Sequence, residues 1–209
     1  MALTTVFHYL GWAIAFLALS MILPCLHALG AEDMETVYNF FVSLIVCVFI
    51  AGSLIVGFRG RNENLDRMHG ALLLVLVWII VPICAALPLY NLYFPVTPLF
   101  SHVGAGDELG GLSVITHVIA AYYEAVSAFT TTGATIFKDI DAVPSGVILW
   151  IALLQWLGGA VTLISILLVI APLGVSGLPI HIQIPGYESR DFKRSLIGTS
   201  KAVFPLYSL

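Results

Sequence analysis

The chain has 209 residues, of which AVILMFWYC make up 60% and DEKR only 10%; its mean hydropathy is +1.03 and its formal net charge −4. These values lie far outside the range of a water-soluble domain and exclude one. Cys25, Cys47 and Cys84 each sit inside an apolar run with no C-x-x-C pair, so they are expected to be packing residues and not a disulfide framework or metal site.

A bilayer core about 30 Å thick needs about 20 mostly apolar residues in a helix. The stretches Val6 to Leu29, Val37 to Phe58, Ala71 to Phe94 and Gly146 to Ile170 meet that length and contain no Asp, Glu, Lys or Arg, as the cost of charge in hydrocarbon requires. The first has no basic residue before it and no small-residue cleavage site after it, and is read as a retained span. Pro24, Pro82 and Pro88 are expected to kink their helices without abolishing them.

Arg59, Arg61 and Arg67 follow the second stretch, and Arg190, Lys193, Arg194 and Lys201 follow the fourth, which places both segments in the cytoplasm by the positive-inside rule. Lys138 alone among the basic residues falls outside, with Glu32, Asp33, Glu35, Asp107, Glu108, Asp139 and Asp141. An acidic outer face would concentrate cations over roughly 8 Å at physiological salt; it is equally what a merely solvated exterior looks like.

Between the third and fourth spans, Ser113 to Ala128 is too short to cross comfortably and carries His117, Glu124 and the pair Tyr122 and Tyr123. It is expected to enter the membrane as a helix and turn back. An abrupt loop follows, Thr130-Thr131-Thr132-Gly133-Ala134-Thr135, before the chain returns through Pro144. Irregular backbone at membrane depth is tolerated only where protein buries it or where it lines a watery cavity. Stripping water from a potassium ion takes a ring of oxygen dipoles, which backbone carbonyls supply when successive ones face a common axis. Gly133 permits the positive φ such a path needs, and the β-branched threonines stiffen its flanks. The loop is therefore read as a potassium-selectivity filter.

Tyr123-Glu124-Ala125-Val126-Ser127-Ala128-Phe129 leading into Thr130 to Thr135, then Leu154-Gln155-Trp156-Leu157-Gly158-Gly159 and Ile184-Pro185-Gly186, resemble the TrkH/KtrB family of potassium transporters over nearly the whole chain. The resemblance implies an all-α polytopic membrane protein: two peripheral transmembrane helices in 1–60, one membrane-pore-membrane repeat in 61–175 with its filter loop at 130–135, and a cytoplasmic link in 176–209 toward a next repeat. It also implies potassium uptake, with the carbonyls of Thr131, Thr132, Gly133 and Ala134 as ion ligands and Thr130, Thr135 and Glu124 in support. Glu124 would brace the loop from the pore helix, or be held by neighbouring backbone and hydroxyl groups, without touching the ion.

Where the family commonly continues Gly-Gly-Met-Gly, this chain has Gly158-Gly159-Ala160-Val161, a difference that bears on local helix packing. One loop supplies one quarter of a fourfold ring, and no second filter-like loop occurs in these residues. Truncation, a homo-oligomer of a short subunit, or a split transporter would each supply the rest. The implied setting is the cell membrane, bacterial inner membrane first, with membrane lipid around the chain. The implied partners are further pore repeats and a cytoplasmic nucleotide-binding subunit of the TrkA/KtrA kind. Potassium is substrate; no organic cofactor, enzyme chemistry or nucleic-acid partner is expected.

A non-conducting assembly or regulatory module is the alternative, separated by whether the filter matters to any phenotype. Gly104-Ala105-Gly106-Asp107 matches the G-x-G-D string of intramembrane aspartyl proteases, but those need two aspartates within spans, and Asp107 lies in a hydrophilic outer loop. The six histidines show no metal-ligand spacing.

Overall fold

The structure is a computed structural model that describes residues 2–59, 67–93, 110–137, 140, 141 and 143–170, with single positions at 198, 201 and 205. The expected link 176–209, apart from those positions, lies outside the described residues. So do the loop bearing Gly104, Asp107 and Glu108, the pair Lys138 and Asp139, and Arg61, Arg190, Lys193 and Arg194.

Among the described residues the regular structure is entirely helical. Helices α1 (Ala2–Ser20) and α2 (Ile22–Gly30) form one apolar path of 28 residues from Leu3 to Gly30, broken at Met21, near the proline that the sequence reading expects to kink the span. Pro24 accounts for the break: it has no N–H to give the Ser20 carbonyl, and its ring crowds that carbonyl. Met21 stays helical at φ −67 and ψ −18, its N–H shared between the carbonyls of Leu17 at 3.3 Å and Ala18 at 3.1 Å. The path kinks but does not end.

A tight turn through Glu32, at φ +58, leads into α3 (Met34–Gly57). Asp33 caps this helix by accepting the Thr36 N–H at 3.1 Å and the Thr36 hydroxyl, while Glu35 in the first turn suits the positive end of the helix dipole. Helix α4 (Arg67–Tyr93) runs through both Pro82 and Pro88. Each proline deprives the carbonyl four residues earlier of its donor. For Pro88 that carbonyl belongs to Cys84, and the Cys47 thiol of α3 approaches it at 3.9 Å, a weak donor in the place of the lost one.

Helix α5 (Gly110–Phe129) and helix α6 (Ser145–Ile170) complete the set. Helix α1 packs on α3 and α4, α4 on α5, α5 on α6, and α2 bridges α3 and α6. At the centre the fully buried Trp150 donates its indole N–H to the Ala85 carbonyl at 3.1 Å and meets Phe40 edge-on at 5.8 Å between ring centroids. The same buried cluster includes Ile14, Leu17, Met21, Leu89 and Leu154.

The outward faces are as apolar as the inside: Trp12, Phe16, Leu19, Phe41, Phe49, Val75 and Ile83 are exposed. Such a surface would drive aggregation in water and is stable against lipid. Four helical paths, Leu3–Gly30, Met34–Gly57, Met68–Tyr90 and Ser145–Ile166, are long and apolar enough to cross a bilayer.

Candidate functional site

The loop after α5 is shaped by hydrogen bonds back to the last turns of that helix. The N–H of Thr130 reaches the Val126 carbonyl at 2.8 Å and that of Thr131 the Ala128 carbonyl at 3.0 Å, which close the helix. Thr130 Oγ1 bonds the Val126 carbonyl again at 2.8 Å and pairs with Thr132 Oγ1 at 2.8 Å. The chain then leaves the helical path, with Thr131 at φ +58 and Gly133 at φ +73. For glycine this conformation is free, but for a β-branched residue it is a true outlier, of a kind that costs about 1–3 kcal/mol and clusters at functional sites. The sequence reading anticipates the positive φ of the glycine; it names Thr131 as a filter residue but does not anticipate its left-handed backbone.

Ser127 receives the turn. Its carbonyl accepts the N–H of Thr132 at 2.9 Å and of Gly133 at 3.4 Å, and its hydroxyl donates to the Ala134 carbonyl at 2.5 Å. One turn earlier, Glu124 is 2% exposed. One carboxylate oxygen accepts both the Thr135 hydroxyl at 2.8 Å and the Ile136 N–H at 2.5 Å, and Thr135 Oγ1 in turn accepts the Phe137 N–H at 3.1 Å. A buried carboxylate is tolerable because these donors replace the water it has lost.

Residues 131–135 are thus fastened along one side and exposed on the other. The hydrogen bonds among the described residues engage the Ala134 carbonyl through one of its two lone pairs and leave those of Thr131, Thr132 and Gly133 without a protein donor. Nothing lies within 4 Å of where a Gly133 side chain would begin. Behind the loop a cavity of about 210 Å³ opens between α5 and α6, lined in part by Glu124, Ser127, Thr135, Phe137 and Gln155.

Helix α6 crosses the foot of the loop at backbone distance. A Cβ on Gly158 would fall 1.7 Å from the Phe129 carbonyl oxygen, so only glycine lets α6 pass the end of α5. On the far side Trp78 meets Phe129 edge-on at 5.3 Å and donates to Ser165 Oγ at 3.3 Å. Ala160 is buried and Val161 packs against the core, so the chain's departure after Gly159 is accommodated in ordinary packing. Sequence reasoning places Gly158 in a motif without finding its contact, and it passes over Ser127; the only hint of the latter is its spacing of three from Glu124, which puts both on one helix face.

No family model matches the chain. It is 25% identical over 204 residues to the Trk system potassium uptake protein TrkG of Escherichia coli, covering 97% of this chain and 38% of that protein. It is 26% identical over 210 residues to TrkH of Vibrio parahaemolyticus, covering 99% and 39%, and 27% identical over 211 residues to TrkH of Halomonas elongata, covering 100% and 39%. The chain therefore spans about 38% of the length of these relatives. The crystal structure of the potassium transporter TrkH from Vibrio parahaemolyticus superposes with a TM-score of 0.69 at 24% identity, covering all of this chain and 37% of that one, which establishes a shared fold. The chain is a multi-pass membrane protein, similar over nearly its whole length to Trk potassium uptake proteins.

Proposed function

We propose that this segment contributes one of four filter loops to a potassium-conducting pore, and that the carbonyls of Thr131, Thr132, Gly133 and Ala134 replace the ion's hydration shell. The observation that carries this reading is the loop itself: irregular backbone between two spans, fastened to α5 and exposed, with the Thr131, Thr132 and Gly133 carbonyls engaged by none of the hydrogen bonds among the described residues. Left-handed residues at 131 and 133, separated by Thr132, suit an extended chain that turns successive carbonyls toward one side.

Thr130, Thr135 and Glu124 support the loop and do not touch the ion. A carboxylate on the ion path would bind too tightly for release, and Glu124 is already occupied by loop donors. The remaining three quarters of the ring come from further repeats, in the same polypeptide or in others, in an assembly that includes a cytoplasmic nucleotide-binding subunit. The membrane potential, about 2.3 kcal/mol per charge per 100 mV, is sufficient to drive potassium inward along such a path. Residues 1–60 form the periphery, 61–175 the pore repeat and 176–209 the link onward.

The test is rubidium-86 uptake by potassium-transport-deficient cells expressing the protein, beside a Gly133→Asp variant present in the membrane in equal amount. Uptake abolished by the variant supports the filter; uptake indifferent to it refutes the filter.

A further inference from the structure

We infer that Ser127 is a positioning residue that sets ion selectivity, by holding the Ala134 carbonyl in its working orientation. The inference rests on the filter reading above and assigns to this pore-helix serine a role that neither the motif nor the loop residues reveal.

Ser127 is 6% exposed, and it is the one side chain among the described residues that bonds a carbonyl in the 131–134 stretch. Its two polar groups address opposite ends of the glycine. The main-chain oxygen takes the N–H groups of Thr132 and Gly133, and the hydroxyl gives its proton to the oxygen of Ala134 at 2.5 Å. The peptide between Ala134 and Thr135 is therefore held at its oxygen by Ser127, and the next donors along, Thr135 Oγ1 and Ile136 N–H, are held by Glu124. Without the serine hydroxyl, the first of these restraints disappears while the main-chain bonds persist. Upstream, Gly133 has open space around it and a glycine's freedom at φ +73, so it adds no steric restraint of its own.

A carbonyl that accepts one hydrogen bond keeps a second lone pair for a cation. Fixing its direction matters more to selectivity than to rate, because discrimination between potassium and sodium depends on the number and field of oxygens held around the ion. The hydroxyl should therefore matter to which ion passes before it matters to how much passes.

The experiment compares Ser127→Ala, Ser127→Thr and Ser127→Cys with the unaltered protein and Gly133→Asp. The readouts are rubidium-86 uptake, its inhibition by sodium, and the amount of protein in the membrane. One modest hydrogen bond predicts that Ser127→Ala weakens discrimination against sodium by roughly three- to tenfold, that maximal uptake changes less than discrimination does, and that Ser127→Thr restores discrimination. Ser127→Cys, a weak donor of similar size, falls between serine and alanine and carries the comparison if the alanine variant does not accumulate. Equal discrimination in serine, cysteine and alanine proteins, or a loss of maximal uptake with discrimination unchanged, overturns the role of Ser127 while leaving the filter intact. Uptake that ignores Gly133→Asp overturns both.

Discussion

Replacing Gly158 by alanine puts a methyl carbon 1.7 Å from the Phe129 carbonyl oxygen, 2.6 Å from its carbonyl carbon and 2.9 Å from its Cα. All three are backbone atoms, so no rotamer change gives relief, and the shortest contact falls 1.7 Å short of the 3.4 Å at which ordinary contact begins. Helix α6 must move away from the end of α5, and α5 ends at Phe129, immediately before Thr130, the first residue of the loop. Overpacking in a core costs about 1–3 kcal/mol when side chains can adjust; here the cost should be at least the upper figure. For a chain of this size about 3 kcal/mol lowers the midpoint of thermal unfolding by roughly 6–12 °C. The assay is thermal unfolding in detergent together with rubidium uptake: Gly158→Ala should lose stability by that amount and uptake along with it. Gly133→Ala is the control, since nothing crowds its Cβ and it pays only the left-handed penalty of about 1–2 kcal/mol. A Gly158→Ala protein with an unchanged midpoint and full uptake would refute the close approach of α6 to the end of α5.

Glu124→Ala strands the Thr135 hydroxyl and the Ile136 N–H, each at about 1–3 kcal/mol, and should abolish uptake, whereas Glu124→Gln keeps an acceptor oxygen and retains part of it; equal uptake in the two variants would show that the carboxyl does not hold the loop. Asp33→Ala removes the cap of α3 and should cost about 1 kcal/mol of stability, read as a small fall in unfolding midpoint with filter selectivity unchanged.

The membrane class and the four long apolar paths were legible in the sequence because both depend on composition over many residues, and a span free of charge has few soluble interpretations. The structure keeps the spans within a few residues, with α5 beginning at Gly110 and α6 at Ser145. The kink expected from Pro24 is present at Met21, one turn before the proline itself, next to the carbonyl it cannot satisfy. The parts that could not be read share a physical character: they are meetings between residues whose separation in the chain carries no period. Gly158 lies 29 positions from Phe129, and glycine in an apolar helix serves lipid-facing and close-packed positions alike until a neighbour is known. Gly146 makes the same point in milder form, its Cβ position on α6 lying 3.1 Å from Thr36 Cγ2 of α3.

Ser127 and Thr131 show the other limit. A serine inside a helix ordinarily returns its hydroxyl to its own helix, as Ser43 does to Asn39 at 2.7 Å and Ser165 to Val161 at 2.7 Å. Ser127 instead gives its hydroxyl seven residues forward, to Ala134, which is possible only because the chain doubles back immediately after Phe129. That reversal depends in turn on Thr131 entering a conformation its β-branch disfavours, held by the bonds of Thr132 and Gly133 to the carbonyl of the same serine. Loop and serine determine each other, so neither could be inferred before the other was placed. The same interdependence explains why the pair should respond to mutation as a unit: both residues shape one reversal of the chain, and effects at coupled positions cease to add.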